Sequence, residues 1–214
     1  MEENLHEYRK GYRKGRLSQE SVAKDPMDQF HIWFQEAKNL GDFIEANAMT
    51  ISTIGLDGFP KGRVVLLKKY SSTGFDFYTN YGSDKGKSIS HNNKVSLLFF
   101  WSNLERQIII KGTAEKTSEE EAIEYFHSRP KGSQLGAVVS QQSSEIESRK
   151  ILEDNLKLLE EEYINKEIPK PENWGGYKVI PISFEFWQGR DNRLHDRIQY
   201  TLEKDKWKIN RLAP

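Results

Sequence analysis

Ala48-Met49-Thr50-Ile51-Ser52-Thr53-Ile54 leads into Gly55-Leu56-Asp57-Gly58, and Arg63-Val64-Val65-Leu66-Leu67-Lys68-Lys69-Tyr70 follows shortly after. The first run alternates apolar and hydroxylated residues, and the second is apolar and β-branched at its centre. Asp57-Gly58 between them is a hairpin signal, because glycine tolerates the positive φ that tight turns demand. The stretch therefore reads as a pair of antiparallel strands, 48–54 and 63–70. Further strand-like runs recur at short intervals over 75–79, 95–101 and 107–114, and again over 177–180, 183–188, 194–201 and 206–211.

Helices are inserted between these strands. Asp25 is a capping residue, Pro26 suits a first turn and Gly41 suits a helix end, while Phe30, Trp33, Phe34 and Ala37 share one face. A short helix is expected over 83–92. Ser118-x-x-Glu121 is a capping box that opens a helix running to about Arg129, where Pro130 stops it. Two more helices are expected over 135–139 and 145–164. Alternating strand–helix–strand units are absent, so the pattern predicts a mainly β fold with inserted helices, an antiparallel barrel, as a single domain over 25–214. Residues 1–24 read as a flexible basic arm with the near-repeat Tyr8-Arg9-Lys10-Gly11-Tyr12-Arg13-Lys14-Gly15.

Composition narrows the function classes. Lys plus Arg and Asp plus Glu both number 32, so net charge offers no argument for nucleic acid or an anionic membrane, and anions must be held by local clusters. With no cysteine, disulfides, thiolate metal sites and cysteine nucleophiles are excluded. No apolar run approaches the ~20 residues of a membrane helix and no signal-peptide core is visible, so a cytoplasmic protein is expected. The five histidines lack metal-ligand spacing, and no G-x-S-x-G elbow is present. Gly82-Ser83-Asp84-Lys85-Gly86-Lys87-Ser88 looks like a phosphate loop, but three residues separate its glycines where a P-loop has four.

Three basic segments remain. In an extended strand Arg193, His195 and Arg197 would share a face, with Leu194 toward the core. That arrangement suits either an anion or an edge strand paired with Asp191 and Glu185. Arg63 and Lys68 differ by an odd number and should face opposite ways in a regular strand, so one site uses both only through a bulge, curvature or backbone contacts. Tyr125 and Arg129 share a helical face with Ser133 just beyond Pro130, a combination fitted to a phosphate monoester or simply to a helix end.

Arg63-Val64-Val65-Leu66-Leu67-Lys68, Phe77-Tyr78-Thr79-Asn80, Leu104-Glu105-Arg106-Gln107, Tyr125-Phe126-His127-Ser128-Arg129-Pro130, Phe186 through Arg197 and Trp207 through Pro214 closely resemble the pyridoxamine (pyridoxine) 5'-phosphate oxidase family, in the same order and from about Asp25 onward. The resemblance implies an FMN-binding split barrel acting as a homodimer with flavin at the subunit interface. It implies FMN contacts by Arg63, Val64, Val65, Leu66, Leu67, Lys68, Tyr78, Thr79, Lys85, Gln107, Gln142, Ser143, Trp187 and Arg197. Substrate contacts fall on Lys68, Tyr125, Arg129, Ser133, Arg193 and His195, with Arg193 and His195 nearest the chemistry. Two ligands with a phosphate each call for two basic pockets.

The implied reaction converts pyridoxamine or pyridoxine 5'-phosphate to pyridoxal 5'-phosphate, the vitamin B6 coenzyme. Hydride passes from C4' to flavin N5, and O2 is reduced to hydrogen peroxide, with ammonia released from the amine. Flavin supplies the redox power, so the protein's task is positioning. Another split-barrel flavin reductase, or a non-catalytic flavin- or B6-phosphate-binding protein, is the competing reading. Two features depart from the family pattern. Asp84 stands where the family commonly has Arg, so Asp84 should point to solvent, leaving the FMN phosphate to Arg63 and Lys85. The family's arm residues that fold over substrate map best to Arg9 and Tyr12, with Tyr8 as a rival register.

Overall fold

The protein is described by a computed structural model covering residues 1, 3–8, 10–40, 43 and 45–214. Arg9 and Gly41 lie outside the described residues. Among the described residues nine strands form a sheet with the order β2-β1-β5-β6-β7-β4-β3; β8 pairs with β7, and β9 with β8. They are β1 (Ala48–Ile54), β2 (Pro60–Leu66), β3 (Lys69–Ser71), β4 (Gly74–Asn80), β5 (Lys94–Trp101), β6 (Arg106–Lys116), β7 (Trp174–Gln188), β8 (Asp196–Glu203) and β9 (Lys206–Leu212). The helices are α1 (Pro26–Asn39), α2 (Asp84–His91), α3 (Glu119–Ser128), α4 (Lys131–Val139) and α5 (Arg149–Glu162). The fold is mainly β with inserted helices, and the registered pairs β3–β4, β4–β7, β7–β8 and β8–β9 are all antiparallel. No helix among the described residues is long and apolar enough to cross a membrane.

Two strand expectations change. The predicted run 63–70 is interrupted: β2 ends at Leu66 and β3 begins at Lys69. At the break Leu67 is buried and the Lys68 N–H donates to Asp76 O at 2.8 Å. The interruption lifts the alternation rule that set Arg63 and Lys68 on opposite faces. Conversely, 177–180 and 183–188 are one strand, β7. Its ladder to β4 uses Trp174 through Val179 and its ladder to β8 uses Ser183 through Gln188, so Pro181 lies between them and its missing N–H breaks neither.

The expected strand 194–201 starts only at Asp196. Asp191–Arg193 is a 3-10 turn in which Asn192 and Arg193 have φ of 56° and 62°. Arg193, His195 and Arg197 therefore do not form a row on one strand face, and Leu194 is 67% exposed rather than in the core. A left-handed pair of residues turns the chain before the ladder can begin.

The chain divides into two compact units. The first comprises Met1–Thr50, Leu97–Lys111 and Pro181–Pro214. In it the Asp25 side chain accepts from Met27 N at 2.7 Å and caps α1, whose Phe30, Trp33, Phe34 and Ala37 are buried as their spacing requires. Phe30 lies edge-on to Phe99 (5.2 Å between ring centres) and Trp33 edge-on to Phe186 (5.3 Å), so the core is largely aromatic. Buried polar ends are paired: Trp101 Nε1 donates to Ala46 O and the Tyr200 hydroxyl to Ala23 O.

The second unit comprises Ile51–Ser96 and Gly112–Ile180. Ser118 Oγ accepts from Glu121 N and opens α3, the expected capping box. Phe126, Leu135, Ile168 and Trp174 form a buried cluster against which Tyr78, Tyr125, Leu156 and Leu159 pack. Ser83 caps α2 by accepting from Gly86 N. A Cβ on Gly86 would lie 2.2 Å from Tyr81 O, so only glycine lets this helix sit so close to the preceding turn.

Candidate functional site

The second unit holds a cleft of about 680 Å³. At one end, Lys85 projects from α2 with its Nζ 3.0 Å from Thr79 Oγ1 and 3.0 Å from Gln142 Oε1. Both partners are neutral. Burial, and then the nearby Arg63 charge, hold the Lys85 ammonium below its ordinary pKa, with Asp84 acting in the opposite sense. Arg63 is anchored through Nη1 to Thr53 Oγ1 (2.6 Å) and Lys61 O (2.9 Å), and burial likewise lowers its pKa against the pull of Asp84. Asp84 itself is exposed, as the sequence reading required.

Elsewhere in the cleft stands a stack of rings. Tyr78 and Tyr125 stack with centroids 3.9 Å apart, Tyr78 and Trp174 at 5.6 Å, and the Arg129 guanidinium lies 4.7 Å from the centre of Trp174. Arg129 Nη2 donates to Ser133 O at 2.7 Å, but its Nη1 is buried with no partner. Burial pushes the Arg129 pKa down, and burial also raises the Tyr78 phenol to about 12. Lys68, exposed at the strand break, lines the same cleft.

None of Arg63, Lys68, Lys85 and Arg129 has a carboxylate within ion-pair distance among the described residues. Like charges gathered in a partly dry recess, one with an orphaned N–H, are suited to an anion. The donor set suits phosphate, and the aromatic stack suits a planar ring. The residues thus fit the phosphate and ring of a flavin mononucleotide and of a phosphorylated pyridine. Among the described residues no group of His, Asp or Glu is disposed to hold a metal ion.

The sequence-derived residues divide clearly. Arg63, Val64, Val65, Leu66, Lys68, Tyr78, Thr79, Lys85, Tyr125, Arg129, Ser133 and Gln142 all line this cleft. Both proposed phosphate sets therefore share one cavity, where the sequence suggested two pockets. Leu67 is 4% exposed and belongs to the packing beneath, and Ser143, exposed at φ 73°, is not on the cleft wall. Sequence reasoning missed Trp174, Asn80 and Ser140. Trp174-Gly175-Gly176 carried a signal: a Cβ on Gly176 would meet the Tyr78 ring at 2.8 Å, so the glycine lets that ring approach the strand.

Tyr12, Gln107, Trp187, Arg193, His195 and Arg197 belong to the first unit. There Tyr12 lies edge-on to Trp187 (5.8 Å) and to His195 (5.7 Å), with Trp187 and His195 at 4.7 Å. Tyr8 is 89% exposed, so of the rival arm tyrosines Tyr12 is the one packed against the imidazole. His195 Nδ1 accepts the Arg190 backbone N–H at 3.1 Å, and burial together with the Arg193 charge holds its pKa below 6.5. Its neutral form therefore carries the proton on Nε2. Arg197 is tied through Nε and Nη2 to Glu185 at 2.8 and 3.1 Å, the acidic pairing the sequence left open.

Residues 36–162 match the family model described as pyridoxamine 5'-phosphate oxidase, and residues 174–214 that of the pyridoxine 5'-phosphate oxidase C-terminal dimerisation region. The chain is 59% identical, over 98% of its length and 99% of the relative, to a pyridoxine/pyridoxamine 5'-phosphate oxidase from Flavobacterium johnsoniae. Among solved structures it resembles PhzG from Burkholderia lata, crystallised with tetrahydrophenazine-1-carboxylic acid (TM-score 0.85, 26% identity, 91% of this chain and 95% of that one). It also shares the fold of a pyridoxamine 5'-phosphate oxidase-related, FMN-binding protein from Nostoc punctiforme (TM-score 0.70, 14% identity, 91% and 99% covered). The antiparallel split barrel expected from the sequence is the fold these likenesses show.

Proposed function

The chain belongs to the pyridoxamine 5'-phosphate oxidase family, and from that membership we propose that it oxidises pyridoxamine and pyridoxine 5'-phosphates to pyridoxal 5'-phosphate, with FMN as cofactor and O2 as acceptor. The observation that carries the reading is the cleft itself: four cations without a carboxylate partner among the described residues share one cavity with a stack of three aromatic rings. Identity favours this reaction over that of the phenazine protein, 59% against 26%.

The chemistry that FMN would supply is two-electron oxidation at the substrate C4', with O2 as the terminal acceptor reduced to hydrogen peroxide; the imine formed from the amine substrate would be hydrolysed to aldehyde and ammonia. The protein's residues bind and orient. Arg63 and Lys85 hold the FMN phosphate, Lys85 being kept in place by Thr79 and Gln142. Val64, Val65 and Leu66 offer backbone and apolar surface, with Tyr78 beside them. Arg129, Tyr125 and Ser133 take the substrate phosphate, and the orphaned Arg129 Nη1 gains its missing acceptor there. Lys68 serves either phosphorylated ligand.

In the first unit, Arg193 and His195 are assigned to the reacting end of the substrate, with Tyr12 closing over it. His195, neutral and protonated on Nε2, donates rather than accepts there. Gln107, Trp187 and Arg197 are assigned to FMN in a homodimer, in keeping with the dimerisation region matched over residues 174–214. Mixing FMN-loaded protein with pyridoxine 5'-phosphate in air tests the proposal: peroxide and aldehyde should appear in equal amounts. A protein that binds both ligands and releases no peroxide would be a carrier, and the enzymatic reading would fall.

A further inference from the structure

Asp196 has no part in the ligand contacts assigned above, yet it is 9% exposed and joins three parts of the first unit. Its Oδ2 accepts from the Leu17 backbone N–H at 3.1 Å and from Arg190 Nη1 at 2.8 Å. Its Oδ1 accepts from Arg211 Nη1 at 2.9 Å, and Arg211 Nη2 in turn donates to Leu17 O at 2.8 Å. A carboxylate and the arginine paired with it thus grip both the N–H and the carbonyl of a single arm residue. The Leu17 side chain is 4% exposed, so the arm is anchored by burial as well as by hydrogen bonds.

From that anchor the arm runs back to Tyr12, whose ring meets Trp187 and His195. Between anchor and ring, Lys14 N donates to Glu105 Oε2 at 2.9 Å and Arg13 pairs with Asp191. A second line leaves Asp196 through Arg190. The side chain of Arg190 is fixed by Asp196, and its backbone N–H donates to His195 Nδ1. Both lines end on the same pair of rings. Charge-assisted bonds to a buried carboxylate are the strong ones, and groups that orient a functional residue in this way are positioning elements.

We propose that Asp196 is a positioning residue that sets the Tyr12 strap and the His195 imidazole against one another, through Leu17 on one side and Arg190 on the other. The arm is therefore a strap clamped at Leu17 in the resting protein, and its closure over substrate is coupled to the orientation of His195. The proposal rests on the functional reading above for its catalytic consequence, but not for the clamp.

The test uses full-length, FMN-loaded protein carrying Asp196→Asn, Tyr12→Ala or both. Arg13, Lys14 and Arg16 are exposed, so brief trypsin digestion read by mass spectrometry reports release of the strap without any substrate. Asp196→Asn should raise strap cleavage about tenfold or more and lower kcat/KM about tenfold, as expected for loss of a charge-assisted bond. In the double variant kcat/KM should fall less than twofold below the worse single variant, because both changes disable the same device. Arg190→Met, which spares the Leu17 clamp, should lower kcat without raising strap cleavage.

Unchanged strap cleavage in Asp196→Asn, or multiplying losses in the double variant, would overturn the proposal. So would Arg190→Met with wild-type kcat, a result still readable if Asp196→Asn does not fold. A wild type that protects its strap through Asp196 but turns over no B6 phosphate would refute the functional reading and leave the clamp standing.

Discussion

Replacing Arg129 by Met should separate ligand binding from folding. Among the described residues the guanidinium donates to Ser133 O and lies against Trp174, while Nη1 is buried without an acceptor. A substrate phosphate would receive that orphaned N–H as a charge-assisted bond, worth ~1.5–3 kcal/mol, so its loss should raise KM for phosphorylated substrate about 10- to 150-fold. Stability behaves differently. The variant loses a hydrogen bond of ~0.5–1.5 kcal/mol and a cation–π contact of ~0.5–2 kcal/mol, but it is relieved of an unsatisfied buried donor that costs ~1–3 kcal/mol. These contributions nearly cancel, and the ligand-free variant should stay within about 1 kcal/mol of the wild type. Steady-state kinetics with phosphorylated and unphosphorylated pyridoxine, beside urea unfolding of the ligand-free protein, reads both quantities. A rise in KM of twofold or less, or an equal loss with the unphosphorylated substrate, would refute the phosphate assignment.

Other perturbations probe other parts of the account. Asp84→Arg removes the carboxylate that draws on Arg63 and Lys85 and should tighten FMN retention in a fluorescence titration; weaker retention would contradict the placement of FMN phosphate there. His195 should titrate below 6.5 by NMR, and Arg193→Gln should raise its midpoint, because burial and the Arg193 charge both disfavour the imidazolium. The sign carries over to folding: with the folded pKa depressed, protonation of His195 opposes the native state as pH falls below 6.5. An unchanged midpoint in Arg193→Gln would show that the guanidinium does not act on the ring. Gly86→Ala places a Cβ 2.2 Å from Tyr81 O and should cost about 1–3 kcal/mol and weaken FMN retention, whereas Gly132→Ala, in open space on α4, should be neutral or stabilising by thermal melts.

Much of the fold was legible because local signals and burial agree. The Asp25 cap, the Ser118–Glu121 box and the Phe30, Trp33, Phe34 and Ala37 face all appear where the spacing puts them. The break at Leu67 and Lys68 was not legible: an apolar, β-branched run carries no mark of where a strand must let go, and the Lys68 N–H finds its acceptor in Asp76, on a neighbouring strand. Likewise Asn192 tolerates the left-handed region but Arg193 carries no mark of it, so the strand expected from Leu194 begins two residues later and Leu194 is exposed. Pro181 misled in the opposite sense, since its tolerance depends on where two other strands stop pairing.

The cleft was legible in its cations and not in its floor. Arg63, Lys68, Lys85 and Arg129 come from separate segments, and only the family resemblance could assign them to one chemistry. Trp174, which supports Arg129, carries no charge and follows a proline-rich stretch that reads as a connection. The Asp196 clamp was invisible for a related reason: its partners are 179, 6 and 15 residues away, and no local pattern links them.

The central claim is that the cleft brings a phosphorylated pyridine and a flavin together for electron transfer. Anaerobic mixing of FMN-loaded protein with pyridoxamine 5'-phosphate, followed through the visible flavin absorbance, tests it most directly. The account predicts bleaching at a rate that saturates with substrate, and recovery of colour when air is admitted. A flavin band that persists unchanged while the substrate is demonstrably bound would contradict it.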